Sequence, residues 1–133
     1  GEILGCGGGM AALRRTRSGF FHEKMALAIE DMTEEEKRER FAAHLTPLAE
    51  VLPGLAAIDV DPPLAESLRN GYQPDGQVLM RYHIPFLAAG DVVKFTLEGR
   101  RLVALARMLC ASSELTSAES RKPAVRILRV FND

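Results

Sequence analysis

Val92-Val-Lys-Phe-Thr-Leu-Glu-Gly-Arg-Arg-Leu-Val-Ala-Leu-Ala-Arg-Met-Leu109 is the stretch that decides the fold. Two runs rich in β-branched and apolar residues, Val92–Glu98 and Leu102–Leu109, flank Glu98-Gly99-Arg100. A glycine at the tip supplies the positive φ a tight hairpin needs, so the stretch predicts two antiparallel strands. Working outward, Ala56–Asp61, Gln77–Tyr82 and Val125–Phe131 read as further short strands. Pro62-Pro63 opens a helix that runs to Asn70 and stops at Gly71. Ser112–Ser120 is a polar connection before the last strand. Short strands around one helix within roughly 80 residues predict an α+β unit, a small, partly closed mixed β-barrel in which closure removes exposed edges.

Before Pro53 the pattern is helical. Gly1–Leu4 reads as a short helix and Gly5–Gly9 as a glycine-rich turn, and Met10–Leu13 suits one helical turn or a strand. Met25, Ile29 and Met32 recur at helical spacing. Thr33-Glu-Glu-Glu36 is a helix start, with a hydroxyl cap answered by a glutamate three positions on. Phe41 and Leu45 share a face of that helix, Thr46-Pro47 caps a shorter one, and Pro53-Gly54 ends it. The change of pattern divides the chain into residues 1–52 and 53–133.

The 133 residues, 47% hydrophobic and 26% charged, have the composition of a globular chain. The longest uncharged runs, Ile3–Leu13 and Tyr82–Gly90, are too short for a spanning helix, which needs about 20 apolar residues. Cys6 and Cys110 cannot make a disulfide framework or, with His22, His44 and His83, a plausible zinc site, and read as buried, reduced thiols of a reducing compartment. The opening Gly-Glu-Ile-Leu-Gly has neither an initiator Met nor a secretory pattern, so the chain is expected to continue something larger. The glycine-rich turn lacks the Lys-Ser/Thr of a phosphate loop, and no histidine is placed beside an evident nucleophile.

The net charge of −1 is a cancellation: residues 1–22 carry +2, residues 23–50 carry −4 and residues 100–133 carry +4. Arg14, Arg15 and Arg17 form a dense cationic segment whose guanidinium groups suit phosphate oxygens. Arg121 and Lys122 form a second candidate with Arg126 and Arg129, although strict alternation along a strand sets Arg126 and Arg129 on opposite faces.

Gly1-Glu-Ile-Leu-Gly-Cys-Gly-Gly-Gly-Met-Ala-Ala-Leu-Arg-Arg-Thr-Arg-Ser-Gly-Phe-Phe21 closely resembles the late catalytic-domain motif of the bacterial tRNA pseudouridine synthase B family. His44-Leu-Thr-Pro-Leu-Ala-Glu-Val-Leu-Pro-Gly-Leu55 resembles the family's interdomain stretch, and Leu68-Arg-Asn-Gly71 its small C-terminal RNA-binding (PUA) domain. The connection Leu109–Arg121 is longer than the minimal family pattern. The resemblance implies a cytoplasmic enzyme that isomerises the T-loop uridine of tRNA to pseudouridine without cofactor or metal. Its nucleophilic Asp would lie in an upstream Gly-x-Leu-Asp-Pro segment, so no catalytic residue is expected in this chain and the chain alone is expected to be inactive. Residues 1–52 would be the tail of the catalytic domain and residues 53–133 a PUA-like domain. Leu13 would pack against the flipped base, with Arg14 and Arg15 beside it at the active-site wall. Arg14, Arg15, Arg17, Arg69, Asn70, Arg121 and Lys122 are the candidate contacts to the T-arm of tRNA. A non-catalytic PUA-like module that binds RNA or protein is the second reading.

Overall fold

The computed structural model describes residues 2–115 and 122–132. They fall into two compact units, 1–45 and 46–133.

In the first unit, β1 (Arg17–Ser18) and β2 (Phe21–His22) form a small antiparallel hairpin over Gly19, whose φ is 57°. A 3-10 turn (Glu23–Met25) follows. The helix expected around Met25, Ile29 and Met32 is absent: His22 offers no side-chain cap, and Met25 and Ile29 remain 47% and 41% exposed. Short helices draw most of their stability from packing, which is missing here. Residues 2–5 likewise form a turn rather than a helix, and Met10–Leu13 is irregular. Helix α1 (Glu34–His44) is where it was expected. Thr33 Oγ1 accepts from the Glu36 amide, and Glu36 Oε2 accepts from the Thr33 amide at 2.9 Å. The bond from the Thr33 backbone, and then one that the Thr33 hydroxyl donates to Glu36 Oε2 at 2.9 Å, hold the Glu36 carboxyl below the ordinary carboxylate range. No described residue of this unit is buried.

The second unit contains the core. Helix α2 (Leu48–Val51) follows Pro47, which occupies the capping position itself rather than the first turn. Strand β3 (Ala56–Val60) leads to α3 (Pro62–Arg69), capped by Asp61 Oδ1 accepting from the Leu64 amide at 2.9 Å. Leu64, Ala65 and Leu68 are the buried stripe of α3. After Asn70 the chain turns left-handed at Gly71, φ 84°. The Tyr72 amide donates to Ser67 O and the Gly71 amide to Leu68 O, the paired bonds of a Schellman stop.

Strands β4 (Val92–Leu97), β5 (Arg101–Met108) and β6 (Val125–Val130) complete a sheet of order β3-β4-β5-β6, parallel at β3/β4 and antiparallel beyond. The β4–β5 turn has two left-handed residues, Glu98 at 55° and Gly99 at 66°. Asp59 Oδ1 steadies this turn, accepting from the Gly99 amide at 2.7 Å and from Thr96 Oγ1 at 3.0 Å. Phe95, Val93, Ile58, Ala104, Ala106 and Leu68, all fully buried, lie at the centre of the core. Lys94 is 9% exposed and spans to the end of α2, donating to Ala49 O at 2.7 Å and Leu52 O at 3.0 Å. Its ammonium thus satisfies carbonyls that a helix C-terminus leaves without partners.

The α+β class is as expected, but the barrel is not closed. The run expected as strand Gln77–Tyr82 is instead helix α4 (Gly76–Leu79), and among the described residues the sheet stays open at four strands. Asp75 decides it: its Oδ1 accepts from the Val78 amide at 2.9 Å, capping a helical turn that buries Leu79. Cys6 is exposed and Cys110 half-buried, so the expectation of two buried thiols fails; both are free. Burial, then the charge of Glu114, pushes the Cys110 thiol up, which favours its protonated form.

Candidate nucleic-acid interface

Arg14, Arg15 and Arg17 sit on and just before the β1–β2 hairpin in three different states. Arg14 Nε donates to Glu23 Oε2 at 2.9 Å, with side chains 82% and 41% exposed, so the pair orients Arg14 without adding much stability. The Glu23 amide in turn donates to Thr16 O at 3.0 Å, tying that carboxylate to the hairpin. Arg17 Nε donates to Gly19 O at 2.9 Å across the turn. Arg15 makes no side-chain hydrogen bond or ion pair among the described residues. Leu13, immediately before them, is 74% exposed. Phe20 and Phe21 meet edge to face at 5.8 Å on the far side of the turn. The segment therefore presents an apolar side chain and three guanidinium groups to solvent, with two of the three held by local bonds.

Arg69 and Asn70 lie at the C-terminal end of α3 in the second unit. Asn70 Nδ2 donates to Glu66 O at 3.1 Å, and Arg69 Nη1 approaches Glu66 Oε2 at 4.0 Å. These groups are thus engaged with their own helix, as a capped helix end requires. Lys122 is exposed just before β6, and Arg121 lies outside the described residues.

Strand alternation misplaced one pair. The β5–β6 register shifts between Leu105 and Ala106, so Ala106 pairs with Ile127 and Leu105 with Arg129, leaving Leu128 as the extra residue. Arg126 and Arg129 consequently share a face, and Arg107, not singled out from sequence, is directly opposite Arg126. The second unit also has an open pocket of about 410 Å³ lined chiefly by Met80, Tyr82, Ile84, Pro85, Phe86 and Leu115. Burial, then a hydrogen bond with Asp61, raises the Tyr82 phenol above its ordinary pKa. Among the described residues no three His, Cys, Asp or Glu side chains gather as a metal site would need, and no helix is long and apolar enough to cross a membrane.

This fold has relatives among solved structures. A chain of a crystallised Cbf5–Nop10–Gar1 complex matches with a TM-score of 0.66 and 24% identity, over 98% of this chain and 42% of that one. A chain of an H/ACA ribonucleoprotein bound to a substrate RNA containing 2'-deoxyuridine matches with a TM-score of 0.66 and 22% identity, over 90% and 40%. At those identities the likeness defines the fold alone.

Sequence comparison goes further. Residues 1–53 match the tRNA pseudouridylate synthase B C-terminal domain family. Over 133 residues the chain is 47% identical to tRNA pseudouridine synthase B of Syntrophus aciditrophicus, covering 100% of this chain and 43% of the relative. Over 127 residues it is 32% identical to the probable tRNA pseudouridine synthase B of Korarchaeum cryptofilum, covering 90% of this chain and 39% of the relative. The chain spans about two fifths of the length of these curated relatives, and it corresponds to the C-terminal part of a tRNA pseudouridine synthase B.

Proposed function

We propose that the chain supplies one wall of the active site and much of the RNA-binding surface of an enzyme that converts the T-loop uridine of tRNA to pseudouridine. In that reaction the bond from C1′ to N1 of the base breaks, the base turns, and a bond from C1′ to C5 replaces it, with loss of the C5 proton and gain of a proton at N1. A base inside a stack cannot turn, so the uridine has to be flipped out and held. Leu13 gives the flipped base an apolar surface. Arg14 and Arg15 engage flanking phosphates with charge-assisted hydrogen bonds. The nucleophilic aspartate comes from outside the residues of this chain, and the chain by itself turns over no uridine.

One observation carries this reading: the Leu13–Arg17 motif, within the part that matches the family, stands exposed with Arg14 already oriented by Glu23. The absence of any buried residue among those described in the first unit supports a second element of it. Ile3, Leu4, Met10 and Leu45, each more than 70% exposed, are suited to packing within a larger catalytic domain to which residues 1–52 contribute the tail. Residues 53–133 then form the PUA-like RNA-binding domain, with Arg69, Asn70 and Lys122 as contacts to the T-arm alongside Arg121, which lies outside the described residues. The enzyme works in the cytoplasm, where its substrate is, and uses neither metal nor cofactor.

The 133-residue chain is expected to bind unmodified tRNA transcript, with an affinity that falls linearly on a log–log plot as salt rises. Filter binding between about 50 and 200 mM salt reads this directly. No detectable binding at the low end would reject the RNA-binding role.

A further inference from the structure

Arg107 on β5 and Arg126 on β6 are directly paired and exposed. Like charges opposite each other in an antiparallel pair, with Cβ atoms about 5 Å apart, destabilise a sheet. The bulge at Leu128 adds exposed Arg129 to the same face, opposite Leu105 and two residues along β5 from Arg107. Among the described residues none of the three side chains makes a hydrogen bond or ion pair. Two other charges on this face are committed elsewhere. Lys94, which pairs with Leu105, reaches the carbonyls of Ala49 and Leu52. Asp59, which pairs with Thr96, accepts from Thr96 and Gly99. The sheet thus maintains three neighbouring cations with no carboxylate among the described residues bound to them, an arrangement that a polyanion would relieve.

We propose that Arg107, Arg126 and Arg129 grip the phosphate backbone of RNA at the exposed β5–β6 side of this face, beyond the part that Lys94 ties to α2. This contact rests on the RNA-binding reading above and adds to it a site apart from the Leu13–Arg17 segment and the end of α3. Backbone rather than base is the target: Val92, Lys94, Leu105, Arg107, Arg126 and Arg129 present no aromatic ring on which a base could stack. Planar guanidinium forks suit phosphate oxygens bidentately, and an RNA strand repeats its charges along its length as the arginines repeat along β5 and β6. The contact is therefore indifferent to sequence, and it strengthens binding without choosing the uridine.

The test is salt-dependent binding of unmodified tRNA transcript by the 133-residue chain carrying Arg107→Gln, Arg126→Gln and Arg129→Gln together, with the corresponding triple lysine variant alongside. Each phosphate contact contributes about 0.7–0.9 to the slope of log affinity against log salt, so the glutamine variant is expected to lose roughly two from the slope and at least tenfold in affinity at low salt. Its thermal midpoint should equal or exceed the parent's, because the Arg107–Arg126 repulsion is gone. The lysine variant should keep most of the slope. If the parent binds tRNA and the glutamine variant binds with the same slope, the sheet-face site is wrong while the RNA-binding reading stands. Loss of slope in the lysine variant would also overturn it, since charge would not be the cause. Unchanged tRNA binding together with lost binding to a polyglutamate peptide would assign the face to an acidic protein instead. A parent that binds no tRNA at low salt would remove both readings.

Discussion

Replacing Arg14 and Arg15 by alanine in the full-length enzyme is expected to lower kcat/KM for tRNA by about a hundredfold or more, with the thermal midpoint unchanged. Two charge-assisted hydrogen bonds of about 1.5 kcal/mol each account for that loss. Stability is spared because Arg15 has no partner among the described residues and the Arg14–Glu23 pair is on the surface, where such pairs contribute little. The change should fall mainly on kcat if the arginines tighten on phosphate only when the base is flipped, and mainly on KM if they engage it in the encounter complex. Steady-state kinetics separates the two, and unchanged turnover would remove both residues from the site. Arg17, whose Nε is bound to the Gly19 carbonyl, is kept in this variant so that the hairpin retains its shape.

The largest effect on stability is expected from Phe95→Ala. Phe95 is fully buried in β4, paired with Ile58 on one side and Ala104 on the other, so truncation opens a cavity at the centre of the sheet. Such a change costs about 3–5 kcal/mol, a large part of the roughly 5–15 kcal/mol that holds a domain together. A urea midpoint followed by circular dichroism measures it. Phe86→Ala is the matched control: at 90% exposed, it should change stability by less than about 0.5 kcal/mol. Equal losses from the two variants would contradict the core described here.

Where the sequence was legible, local chemistry and burial agreed. Thr33 and Glu36 form the reciprocal cap their spacing announces, and Pro62 to Gly71 contains both the start and the stop of α3. The hairpin around Gly99 is at its expected place, and the family resemblance carried by residues 1–21 is confirmed by the match over 1–53. Gln77–Tyr82 was not legible, because a short apolar run fits a strand or a buried helical turn equally well, and the Asp75 cap outweighed the pattern. Met25, Ile29 and Met32 had helical spacing but nothing to pack against. The grouping of Arg126 with Arg129 was hidden for another reason. Alternation assumes an unbroken ladder, and no residue type in Val125–Val130 announces the extra position at Leu128. Glu98 is similar: a left-handed glutamate is tolerated because Asp59 binds the turn from a strand about 40 residues away in sequence, a contact that no local pattern encodes.

The most direct test of the central claim is tritium release from tRNA transcript labelled at C5 of uridine, since forming the new glycosidic bond at C5 must expel that hydrogen. The full-length protein is expected to release about one equivalent per tRNA, from the T-loop uridine, with no added metal or cofactor, while the 133-residue chain alone releases none. A full-length protein that binds tRNA with salt-sensitive affinity yet releases no tritium would contradict the account and leave a module that binds RNA without modifying it.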